Sequence, residues 1–114
     1  MRNHYFEWLH ESVRKAEIRA GAIPVTWSYR GESLLNSVSI RREYRPSGQT
    51  QAVSVEVELR VDASDGTPEL RVKSSILGDQ MVVKTRDGVK FQEEAFDAIS
   101  VAIHDLVSNP PRTP

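Results

Sequence analysis

The stretch Ala52-Val53-Ser54-Val55-Glu56-Val57-Glu58-Leu59-Arg60-Val61 decides the fold. Val53, Val55, Val57, Leu59 and Val61 share one parity, and Ser54, Glu56, Glu58 and Arg60 share the other. Successive side chains of a strand point to opposite faces, so this is a strand with one dry face and one wet face. A slip of one residue would drive two glutamates and an arginine into the core, which fixes the register. The pattern implies an antiparallel sheet covered on one side only.

Working outward, each flank adds further strands. Val25, Trp27 and Tyr29 alternate with Thr26, Ser28 and Arg30, and Arg30-Gly31-Glu32-Ser33 is expected to turn the chain. A second strand is expected over 35–44, with Val38, Ile40 and Tyr44 on one parity and Ser39, Arg41 and Glu43 on the other. Arg42 falls on the apolar parity, so that face is expected to reach solvent near the strand's end. After the turn signals Asp65-Gly66, a fourth strand carries Leu70, Val72 and Ile76 with Arg71 and Lys73 opposite. Met81 to Thr85 is a short fifth strand or an extension of the fourth.

Both ends read as helices. Over 4–20, Phe6, Leu9, Val13, Ala16 and Ala20 recur at spacings of three and four, with Asn3 as cap and Gly21 as stop. Trp8 lies about 110° from the centre of that stripe and Ile18 almost opposite it. Over 90–107, Phe91, Ala95, Ile99, Ala102 and Leu106 form a second stripe, widened by Phe96, Ala98 and Ile103. Glu93 and Glu94 are assigned to its first turn, where carboxylates favour the helix dipole. Each apolar stripe needs a partner, and the sheet has one dry face to offer. The expected fold is therefore α+β: an antiparallel meander of four or five strands with an N-terminal and a C-terminal helix on one face. Residues 1–108 form one domain, and the proline-rich 109–114 forms a flexible tail.

Composition narrows the function. The chain has 114 residues, no cysteine and a net charge of −1. Disulfides, thiolate nucleophiles and thiolate metal sites are thereby excluded. No apolar run approaches the roughly 20 residues of a membrane span, and a cytoplasmic location is expected. Charge alternates in blocks: +2 over 30–45, −4 over 46–70 and +3 over 71–90. In neighbouring strands these would set opposite charges against each other, with Arg41, Glu56, Glu58, Arg71 and Lys73 on the wet face. No aromatic sits on that parity in the third to fifth strands, and the two glutamates repel phosphate, so nucleic acid is not expected.

No catalytic constellation emerges. His10-Glu11-Ser12-Val13-Arg14 has the start of the zinc-protease pattern H-E-x-x-H, but Arg14 stands where the second ligand belongs. Ser100 and His104 are one turn apart and could touch, on a polar helix surface without an oxyanion hole. Glycine-rich phosphate loops are absent. Gln51-Ala52-Val53-Ser54-Val55 is similar to the Q-x-V-x-G loop of cystatins but lacks the glycine and reads as strand, so the family is not assigned. No catalytic, metal or cofactor residue is assigned. The expectation is a small non-enzymatic protein-interaction module of adaptor, chaperone or immunity/inhibitor type, paired as a homodimer. Its contact residues are taken as Trp8, Ile18, Phe96 and Ile103, apolar side chains beyond what one core needs. The alternative is a small-molecule-binding protein or enzyme with a pocket lined by Trp27, Tyr29, Tyr44 and Phe96.

Overall fold

The computed structural model describes residues 4–32, 37–45, 52–62, 64–75 and 80–108, with main chain only for 4–6 and 25–32. Helix α1 spans His4–Ala20 and is followed by β1 (Pro24–Glu32), β2 (Ser37–Tyr44), β3 (Val53–Val61), β4 (Pro68–Ser74) and β5 (Met81–Lys84); helix α2 spans Gly88–Ser108. The strands form one antiparallel sheet in the order β1-β2-β3-β4-β5, a meander. Met81 to Lys84 is thus a strand in its own right, paired with β4.

The dry face is built row by row from the register. Ile40, Val57, Val72 and Met81 lie across the sheet in one row, and Val38, Leu59, Leu70 and Val83 in the next. Leu9, Val13 and Ala16 of α1 and Phe91, Ala95, Ile99, Ala102, Ile103 and Leu106 of α2 join these rows in one core. The two helices pack along each other, α2 over β3, β4 and β5 and α1 over β3. Both helices therefore cover the same face of the sheet, as the alternation requires. Trp8 fills the seam between them, its ring 5.9 Å from that of Phe91 and tilted by 51°.

The helix ends have identifiable causes. Gly21 takes φ +67°, its N–H donates to the Ile18 carbonyl at 3.2 Å and the Ala22 N–H to the Glu17 carbonyl at 2.9 Å. That is a Schellman stop, and it needs a residue tolerant of the left-handed region. At the start of α2, Asp87 Oδ1 accepts from the N–H groups of Val89 and Lys90, each at 3.1 Å. Asp87 is the cap, and α2 begins earlier than its apolar stripe indicates. Glu93 and Glu94 consequently lie beyond the first turn, and the capping carboxylate of Asp87 meets the helix dipole instead.

Two further expectations are corrected. Arg30, Gly31 and Glu32 are strand rather than turn, paired with Ser39, Val38 and Ser37; ladder pairing overrides the glycine. Arg42 does not reach solvent: it is 8% exposed, inside the core, because a carboxylate meets it there. Asn3, Ile76 and the 109–114 tail lie outside the described residues.

Candidate protein-interaction surface

The wet face of the sheet carries a ladder of alternating charge. Across it Arg41 stands opposite Glu56, and Glu56 opposite Lys73; Glu58 faces Arg71, and Glu69 stands between Arg60 and Lys84. Contacts along and across strands tighten this pattern. Arg71 Nε donates to Glu69 Oε1 at 2.6 Å, Lys84 Nζ lies 3.8 Å from Glu69 Oε2, and Arg60 and Arg41 lie 3.6 and 3.4 Å from Glu58 and Glu43. Glu56, Glu58, Arg71, Lys73 and Gln80 line a shallow polar depression of about 200 Å³. Each of these rows interrupts its cations with a glutamate, so among the described residues the face offers no unbroken stretch of one sign to a charged partner.

Beneath the opposite face lies a polar cluster that the sequence pattern did not reveal. Glu17 is 4% exposed, Arg42 8% and Tyr44 1%. Arg42 Nη2 donates to Glu17 Oε1 at 3.0 Å, and its Nε approaches Oε2 to 2.9 Å, an ionic contact whose N–H is not aligned as a hydrogen bond. The Tyr44 hydroxyl donates to Glu17 Oε2 at 2.7 Å. Burial, then the bond to Glu17, pushes the Tyr44 phenol far above its ordinary range. His10 lies nearby; partial burial, then the charge of Arg42, holds its imidazole below the usual value. Both carboxylate oxygens of Glu17 are engaged by protein groups, so the cluster fastens α1 to β2. Arg42 on the dry parity was the visible sign; Glu17, one turn beyond Val13 beside the apolar stripe, was its counterpart.

The outer side of the helical layer is different in kind. Ile18 is 70% exposed and, with Lys15, Arg19 and Phe96, lines a largely apolar depression of about 370 Å³. The Arg19 guanidinium carbon lies 5.6 Å from the centre of the Phe96 ring, in cation–π range. Arg19 also walls a second depression, of about 290 Å³, lined from α2 by Ser100, Val101, His104 and Asp105. Val101 is 50% exposed.

Of the four expected contact residues, Ile18 and Phe96 meet in the first depression, and Trp8 is half-buried against Phe91. Ile103 is fully buried in the core and presents no surface, because α2 turns that side towards the sheet. Of the four aromatics expected to share a pocket, Tyr44 is inside the core with its hydroxyl on Glu17, whereas Phe96 lies in the outer depression. The main-chain register sets Trp27 opposite Arg42 and Tyr29 opposite Ile40. Ser100 and His104 do not pair: His104 Nε2 lies 3.3 Å from Ser108 Oγ instead, and Ser100 Oγ is buried without a hydrogen-bond partner among the described residues. Val53 and Val55, from the segment similar to the cystatin loop, are in β3.

Among the described residues, no group of three or more His, Asp or Glu is placed to hold a metal ion, and no helix is long and apolar enough to cross a membrane. Comparison with protein-family models, with curated proteins and with solved structures finds no significant match.

Proposed function

We propose that this protein is a small non-enzymatic interaction module, of adaptor, chaperone or immunity/inhibitor type, that binds protein through the outer face of its helical layer and pairs as a homodimer. The observation that carries this reading is Ile18, 70% exposed at the rim of an apolar depression containing Phe96. An isolated exposed isoleucine needs no explanation, but this one shares a depression with the half-buried Phe96, and Arg19 alone separates it from a second depression that holds the exposed Val101. The wet face of the sheet supports the reading by contrast, since its glutamates already stand against basic residues across the strands.

The test is the mass in solution by light scattering over a dilution series, for the wild type and for Ile18→Ser. Ile18 is exposed, so the substitution should change fold stability by no more than about 0.5 kcal/mol. The expected outcome is a concentration-dependent dimer for the wild type and a monomer for the variant. A wild type that stays monomeric at the highest concentration overturns the homodimer.

A further inference from the structure

The exposed side of α1 is charged in halves. Glu7 and Glu11 are exposed in its first half, and Arg14, Lys15 and Arg19 in its second. Positions 7, 11, 14, 15 and 18 recur at helical spacing and fall within an arc of roughly 100°. This order is complementary to itself only when reversed. A second α1 laid antiparallel, centred on Val13, sets Glu11 against Lys15 and the acidic half of each helix against the basic half of the other. A parallel second α1 sets glutamate on glutamate and arginine on arginine.

Resting on the interaction reading above, we propose that a second copy of this chain docks on α1, with a twofold axis perpendicular to the helix at the level of Val13, so that the two α1 helices run antiparallel. A twofold interface must be complementary to its own rotated image, and this stripe is. The other exposed helix face is not. On α2 the exposed Glu93, Glu94 and Asp97, with Lys90 beside Glu94 in the same half, meet no exposed lysine or arginine in the second half among the described residues. The helix dipole by itself favours acidic residues early and basic residues late, which accounts for the sign order. It does not account for Ile18 standing 70% exposed on the same stripe.

The experiment is sedimentation equilibrium on E11K, K15E, their equimolar mixture, and the swapped double variant E11K/K15E. All substituted positions are exposed, and circular dichroism melts establish that each variant folds. In either single variant both symmetry-related contacts become like-charged, and dimerisation should weaken about tenfold or more at low salt. In the mixture every contact is again opposite in sign, so a heterodimer should form with near wild-type affinity. The double variant should recover the homodimer. If the single variants dimerise as the wild type does while Ile18→Ser still dissociates, the helical face is used but the antiparallel arrangement is wrong. Single variants that weaken without rescue in the mixture also overturn it. A monomeric wild type overturns both this arrangement and the homodimer reading.

Discussion

Arg42 on β2 and Glu17 on α1, 25 residues apart in sequence, meet at two points inside the core: Nη2 to Oε1 at 3.0 Å and Nε to Oε2 at 2.9 Å. Removing one partner of such a pair leaves an uncompensated buried charge. Arg42→Met should therefore cost about 3–5 kcal/mol, whereas Arg42→Met combined with Glu17→Met should cost distinctly less. Urea denaturation of the four proteins in this cycle gives the coupling. Additive losses would mean that the pair does not act as a unit.

Tyr44 donates to the same carboxylate, and its phenol is held far above its ordinary value of 10.0, first by burial and then by Glu17. The unfolded phenol ionises near 10 and the folded one does not. This contribution to stability is complete below pH 10 and is lost as pH rises beyond it. Tyr44→Phe should cost about 1–3 kcal/mol at neutral pH and remove part of the alkaline loss. Absorbance at alkaline pH, followed alongside unfolding, should show the ionisation of Tyr44 only as the fold melts.

The imidazole of His10 shifts the other way, lowered from 6.5 by burial and by Arg42. A lowered value means that the unfolded chain takes up the proton first, so stability is present above pH 6.5 and falls as pH drops below it. Melting temperatures at pH 7.5 and pH 5.5 should differ more for the wild type than for His10→Gln. An equal difference would remove His10 from the account.

The strands were legible because alternation is local: Val53 to Val61 declares both of its faces within one element. The C-terminal end of α1 was legible because Gly21 ends it by backbone geometry. Arg42 was visible as an exception but was taken for an exposed strand end, since nothing near it in sequence shows its partner. Glu17 received no assignment for the same reason. The start of α2 was misplaced because a cap lies outside the apolar periodicity. The contact residues divided along the same line: Ile18, opposite the stripe, is exposed, and Ile103, on its flank, went into the core.

Val57 is buried between Ile40 on β2 and Val72 on β4. Val57→Asp places an unpaired carboxylate in the middle of the dry face, a change of the class that costs more than about 4 kcal/mol. Its far-ultraviolet circular dichroism should lack a cooperative melt. A transition near that of the wild type would contradict the placement of β3 at the centre of the core.

Asp87 accepts from two N–H groups at the start of α2. Asp87→Ala should cost about 1 kcal/mol, measurable as a lower urea midpoint at unchanged slope.

Apolar packing alone lets a helix roll on a sheet by small increments, because one methyl contact substitutes for another. The two-point ion pair of Glu17 does not, and the Ala22 N–H on the Glu17 carbonyl holds the same residue by its main chain. Glu17 is thus a rotational stop for α1. By fixing the angle of the helix about its own axis, a carboxylate hidden in the core determines that Glu11, Lys15 and Ile18 are the side chains displayed to whatever approaches from outside.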